Sequence, residues 1–357
     1  MIDLLYSDID EQLRSSLRSV LAARSPWTEV LARTESDKTY DADLWRAVAV
    51  DMGLAGLIVP EDLGGAGASY REAAVACEEL GRAVAPIPFL GSAIVATTAL
   101  LSAGATDLLP DLASGTRAAV LVVPFATAPG GITPTVAVEG GRLTGTVTTV
   151  AEALPADLLL VPTPGGLYAV EAAQALLIPV TSFDMTRQLA DITFDGATGT
   201  RIGDLAAADV GLRAGAALLA SEQLGVAEWC LETTVAYLKT RYQFGRLLGS
   251  YQALKHRVAD LYVDISQARA VARYAAACAA SEDPDLPVAV AVAQAFNPAI
   301  AVRASEECMQ LHGGIGFTWE YPVHLYMKRA KSAAIAFGSA AAHRTELAKL
   351  VNLPASS

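Results

Sequence analysis

One stretch concentrates residues suited to holding a ligand: Arg241-Tyr-Gln-Phe-Gly-Arg-Leu-Leu-Gly-Ser-Tyr-Gln252. Arg241 can fork onto an anion, Gln243 and Gln252 can bond polar edges, and Phe244 can pack a flat ring. A phosphate joined to an aromatic ring would use all four. By spacing alone, a polar loop joining two helices describes the run better than a ligand site does.

Two apolar-periodic segments must position that stretch. Upstream, Ala217, Ala220, Leu224, Ala227, Leu231, Val235 and Leu238 recur at steps of three or four. Downstream, Leu254, Val258, Leu261, Ile265, Ala268, Ala272, Ala275 and Ala279 do the same. Each set lies on one face of a helix. Gly245 and Gly249 interrupt the pattern, so two long helices should fold back through a loop that presents the arginine, the amides and the aromatic.

The run Arg-Tyr-Gln-Phe-Gly followed by Gln252 resembles the R-x-Q-F-G…Q segment of the acyl-CoA dehydrogenase family. Gln310-Leu-His-Gly-Gly-Ile-Gly-Phe-Thr318 resembles that family's Q-x-x-G-G-x-G-[FY]-T. A lone glycine-rich run of this kind could simply end a helix. Two such segments in the family's order, about seventy residues apart, are more specific. The resemblance extends to Gly53–Gly67, Glu78-Glu-Leu-Gly-Arg82, Asp184-Met-Thr-Arg187 and Phe194-Asp-Gly196, and so covers nearly the whole chain. It implies FAD as cofactor, bound mainly by a neighbouring subunit. Arg241, Gln243, Phe244 and Gln252, with Gln310, His312, Gly313 and Gly314, would reach its diphosphate and adenosine half.

Composition bounds the alternatives. A chain of 357 residues can bury a large core and should form two or three domains. A hydrophobic share of 53% with 18% charge argues against disorder, and a formal charge of −12 argues against a nucleic-acid binder. Cys77, Cys230, Cys278 and Cys308 form no C-x-x-C pair and read as reduced core cysteines. The four histidines have no metal-ligand spacing, so no metal is expected. The N-terminus carries acids where a signal peptide has a basic start. The most apolar window, Leu286 to Val302, is interrupted by Gln294, Asn297 and Pro298 and is shorter than the ~20 residues of a spanning helix. A cytoplasmic protein with no membrane association is expected.

Along the chain, residues 1–114 read as an N-terminal helical domain, with a first stripe of Ile9, Leu13, Leu17 and Val20. Residues 115–205 read as a small middle β domain. Its short β-prone runs are Ala118–Val123, Leu143–Val150, Leu158–Val161, Leu167–Val170 and Gln188–Phe194. Leu143, Gly145, Val147 and Thr149 alternate as a half-buried strand would. Residues 206–357 return to helices as a C-terminal four-helix bundle, continuing through 288–311, kinked at Asn297-Pro298, and 323–349. The expected class is α+β, acyl-CoA dehydrogenase-like.

The resemblance fails where the chemistry should sit. The family's base, which removes the α-proton of an acyl-CoA, is the Glu of a Y-E-G-T motif near the C-terminus. Gly338 and Arg344 hold that register here, and Phe337 stands in the glutamate's place. Some relatives carry the base on the helix before R-x-Q-F-G, at a position falling near Gly215 or Ala216. The nearest acid there, Glu222, is about two turns and ~10 Å away. Glu222, Glu228 and Glu232 read as solvated or interface charges, and Glu320 as structural. The loop that approaches the flavin ring in relatives, T-E-P-x-x-G-S-D, corresponds to Pro124–Gly131, which has no acid.

No catalytic residue is therefore expected in this chain. The reading is a base-lacking, FAD-anchoring subunit of a heteromeric α2β2 acyl-CoA dehydrogenase. A sister subunit would supply the glutamate and the acyl-CoA site, and an electron-transfer flavoprotein-type acceptor would take the electrons. Family analogy suggests a steroid side-chain thioester as substrate. Two alternatives remain: a homotetramer with a displaced base such as Glu222, and a non-catalytic scaffold on the same fold.

Overall fold

The computed structural model describes residues 4–353. Helices come first: α1 (Asp8–Arg24), α2 (Trp27–Thr34), α3 (Ala42–Trp45), α4 (Tyr70–Arg82), α5 (Thr97–Ala103) and α6 (Leu109–Ala113). Ser7 and Ser69 close capping boxes with Asp10 and Glu72 and so start α1 and α4. The stripe expected on α1 is rotated. Leu17 and Leu21 are buried and Ile9 is exposed. Charge sets the facing: Arg14 and Arg18 share the Leu17/Leu21 face and bond Glu78 and Glu79 of α4 at 2.8 and 2.6 Å.

Eight strands follow: β1 (Ala119–Leu121), β2 (Ala137–Glu139), β3 (Arg142–Ala151), β4 (Leu158–Thr163), β5 (Gly166–Glu171), β6 (Leu176–Val180), β7 (Leu189–Thr198) and β8 (Thr200–Gly203). They form two four-stranded sheets, ordered β1-β4-β5-β8 and β2-β3-β7-β6. Strand β4 is buried along its whole length because both its faces are covered. Leu159 and Val161 point into the core between the sheets, while Leu158 and Leu160 join a core shared with α5, α6 and the next long helix. The simple alternation expected in β3 breaks at a register shift between Val147 and Val150, beside Thr149 at φ 54°. The bulge moves Val150 to the buried face.

Helices then return: α7 (Leu205–Thr240), α8 (Gln252–Ala280), α9 (Leu286–His312), α10 (Val323–Ala333) and α11 (Ala340–Leu350). A two-residue ladder, β9 (Tyr242–Gln243) with β10 (Arg246–Leu247), turns the chain between α7 and α8. By length and composition α9 could cross a membrane, but half of its most apolar window is buried within the protein. It lies at the centre of the bundle, where Gln294 and Asn297 donate to carbonyls of α7 at 2.5 and 3.1 Å. Pro298 does not divide it. The single helix expected over 323–349 is instead two. Phe337 and Gly338, at φ 52° and 101°, turn the chain between α10 and α11. The Phe337 N–H donates to the Phe125 carbonyl at 3.1 Å and holds that turn against the β domain.

Candidate functional site

The α7–α8 hairpin presents what the sequence suggested. Arg241, Gln243, Phe244 and Gln252 are all exposed, Phe244 to 87%. Phe244 sits at φ 53°, a costly conformation for an aromatic residue, at the tip of the turn. The second segment begins where α9 ends. Gln310, Gly313 and Gly314 are exposed, and a Cβ added at either glycine would meet no atom of this chain within 4 Å. Gly313 needs its φ of 64°, whereas Gly314 has no positive φ and no neighbour to avoid. A bare backbone facing open space beside an exposed arginine, two amides and a phenyl ring fits a phosphate-bearing dinucleotide supplied by another molecule.

His312 is the exception among the expected contact residues. Its ring is turned inward and only 2% exposed. Nδ1 donates to the Cys308 carbonyl one turn back at 2.7 Å, and the ring lies between those of Tyr237 and Tyr321. The Cys308 carbonyl can take this bond on its second lone pair, and two aromatic neighbours complete the burial of the ring. Tyr237 and Tyr321 escape a reading of the sequence, since neither lies in either motif. The stacking shows that the ends of α7 and α9, and so both segments, are neighbours in space.

The other half of a site lies across the molecule, at the turn between α10 and α11. Phe337 packs against three separate cores. Its ring reaches the second candidate base position: a Cβ on Gly215 would come within 3.0 Å of Phe337 Cζ. The two places where a base was sought therefore converge on one point, and neither carries an acid. The adjoining cavity, lined by Leu90, Val95, Phe125, Glu152, Arg187 and Phe337, has a volume of about 40 Å³. That is room for a few water molecules. Pro124 and Phe125 line it on the β side, where the Phe125 N–H donates to the Thr149 carbonyl at 3.0 Å. A wider cleft, about 670 Å³, lies elsewhere, between residues 36–42 and the β6–β7 segment.

Glu222 is neither solvated nor an interface charge. It is 4% exposed and held by Arg187 at 2.6 Å and Arg329 at 3.1 Å. Burial alone would raise its carboxyl, but the two guanidiniums more than offset this and hold it below the usual carboxylate range. Arg187 also pairs with Glu152 at 3.2 Å, and Arg329 with Asp184 at 2.7 Å. Glu152 accepts the Gly91 N–H at 2.7 Å, and burial pushes its carboxyl up. These five charges tie the N-terminal helices, the sheets and the bundle together. Glu228 pairs with Arg269 at 2.8 Å and the exposed Glu232 with Arg82. Each of the three glutamates on α7 thus has a structural partner. Glu320 is exposed.

All four cysteines are free and buried. Among the described residues no cluster of His, Cys, Asp or Glu could hold a metal ion.

Residues 7–116 match the acyl-CoA dehydrogenase N-terminal domain, and residues 205–351 match the acyl-CoA dehydrogenase C-terminal domain. Across 333 residues the chain is 39% identical to acyl-CoA dehydrogenase IpdE2 of Mycolicibacterium smegmatis, covering 93% of this chain and 95% of that one. The chain belongs to the acyl-CoA dehydrogenase family. Among solved structures, this acyl-CoA dehydrogenase chain is similar to the ChsE4–ChsE5 complex from Mycobacterium tuberculosis. The TM-score is 0.89 at 27% identity, over 99% of this chain and 100% of that one. A variant of the Tcur3481–Tcur3483 steroid ACAD matches with a TM-score of 0.86 at 30% identity, over 98% and 99%. Membership of this flavoprotein oxidoreductase family makes the absence of an acid at Phe337 and Gly215 the notable feature of the chain.

Proposed function

We propose that this chain is the FAD-anchoring subunit of a heteromeric acyl-CoA dehydrogenase and that its sister subunit carries the catalytic base. The observation that supports this most is the pairing of an open half-site with a closed one. Arg241, Gln243, Phe244, Gln252, Gln310, Gly313 and Gly314 are bare and outward-facing. Phe337 fills the place of the base over a cavity of about 40 Å³. Arg241 would fork onto the diphosphate, Gln243 and Gln252 would bond polar edges, and Phe244 would pack the adenosine. The bare backbone at Gly313 and Gly314 would let the dinucleotide approach closely. When bound, FAD supplies the hydride acceptor.

The sister subunit would place its glutamate over the acyl-CoA. The two chains would form a heterodimer, doubled to α2β2, in the cytoplasm. Electrons would leave to an electron-transfer flavoprotein-type acceptor. Likeness to a steroid ACAD suggests a bulky side-chain thioester as substrate.

The decisive experiment is a single anaerobic turnover of the purified complex, followed at the flavin band. Mutating the sister's glutamate to glutamine should abolish bleaching by acyl-CoA, while Glu222→Gln or Glu152→Gln here should leave the bleaching rate within about twofold. Loss of bleaching in either of the latter, with the complex still assembled, would overturn the assignment.

A further inference from the structure

The two cofactor-reaching segments are far apart in the chain, yet one side chain touches the structure beneath both. The His312 ring centroid lies 4.4 Å from that of Tyr237, inclined at 31°, and 4.8 Å from that of Tyr321, inclined at 39°. Tyr237 is in the last turn of α7, and its carbonyl accepts the N–H of Arg241, the first hairpin residue, at 2.9 Å. Tyr321 follows the glycine loop. The loop itself folds over the root of the same side chain, since a Cβ on Gly316 would lie 3.0 Å from His312 Cβ. His312 Nε2 is buried with no hydrogen-bond partner among the described residues. The ring is therefore held by its two tilted ring contacts and by Nδ1, which donates to the Cys308 carbonyl at 2.7 Å with the Cys308 Sγ 3.6 Å away.

We propose that His312 is a positioning residue that sets the spacing between the Arg241–Phe244 hairpin and the Gly313–Gly316 loop without touching the cofactor. This rests on the reading that those two segments hold FAD. Ring shape, more than imidazole chemistry, does the positioning. A phenyl ring would keep both stacks and would remove an unsatisfied buried nitrogen, whereas a methyl group would let the two arms move independently.

The test measures the equilibrium affinity of FAD for the apo-complex of this chain with its sister subunit, by flavin fluorescence, together with the unfolding midpoint. Arg241→Ala and His312→Ala should each weaken FAD by about tenfold or more, while His312→Phe stays within about threefold. Phe194→Ala, in the core between the sheets, should lower the midpoint at least as much as His312→Ala and leave FAD affinity unchanged. An unchanged affinity in Arg241→Ala would defeat the reading of the cofactor site itself. If Arg241→Ala is weak but His312→Ala binds like the native complex, the positioning role is wrong. It is equally wrong if Phe194→Ala weakens FAD as much as His312→Ala, or if His312→Phe fails to rescue. Should His312→Ala not assemble, Tyr321→Leu removes one stack alone, and unchanged FAD affinity there refutes the proposal.

Discussion

Arg329→Met is the perturbation that most sharply separates a structural charge network from a catalytic one. Arg329 is 2% exposed and bonds Asp184 at 2.7 Å, Glu222 at 3.1 Å, and the Thr186 hydroxyl and carbonyl at 2.6 and 3.1 Å. Without it, three buried carboxylates share the single guanidinium of Arg187. Removing one partner of a buried pair costs about 3–5 kcal/mol. Glu222→Gln is milder. Arg187 keeps Glu152 and Arg329 keeps Asp184, so each cation retains one anion, and the loss should be about 2 kcal/mol.

The two variants also differ in their response to pH. Glu222 is held below the usual carboxylate range, so its contribution is present above that range and lost as pH falls through the depressed value. In Arg329→Met the uncompensated carboxylates cost most when ionised, so the deficit should shrink as pH falls. Urea unfolding of both variants and the native chain, at about pH 8 and about pH 5.5, measures all of this. Equal destabilisation by the two variants, or an Arg329→Met deficit indifferent to pH, would refute the reasoning.

Three further outcomes are expected. Phe337→Ala should destabilise the chain by about 2 kcal/mol, less than a fully buried phenylalanine because the ring is only partly covered, and should leave turnover of the complex unchanged; unfolding and steady-state assays check both. Phe337→Glu alone should give no turnover in the lone chain, because a cavity of about 40 Å³ has no room for an acyl thioester; formation of enoyl-CoA would contradict this. Burial pushes the Glu78 carboxyl up to about 7 against the counter-effect of Arg14, and Tyr6 donates to it at 2.5 Å. A raised carboxyl favours the protonated fold, so this contribution is full at low pH and fades as pH rises through about 7. Glu78→Gln should remove that part of the pH dependence of the unfolding midpoint.

The hairpin carrying Arg241 was legible because two long periodic helices flank it and two glycines separate them. The five strands anticipated were runs of branched and aromatic residues, whereas β2 and β8 are short edge strands and β6, also an edge strand, carries Pro179 within its apolar run. The break between α10 and α11 was hidden because its turn is built on contacts with Phe125 and Ala128, distant in sequence. The charge network was hidden for the same reason. Glu152, Asp184, Arg187, Glu222 and Arg329 come from separate elements and loops, and each looks like a surface charge in its own segment. Glu222 reads as solvent-facing only until the sheets are packed against the bundle. His312 was misplaced because its motif position says nothing of which way its ring turns.

The most direct test of the central claim is the flavin content of the chain purified alone and together with its sister subunit. The account predicts no flavin absorbance in the lone chain and about one FAD per heterodimer in the complex. A full complement of flavin in the lone chain, with enoyl-CoA formed from acyl-CoA, would contradict it.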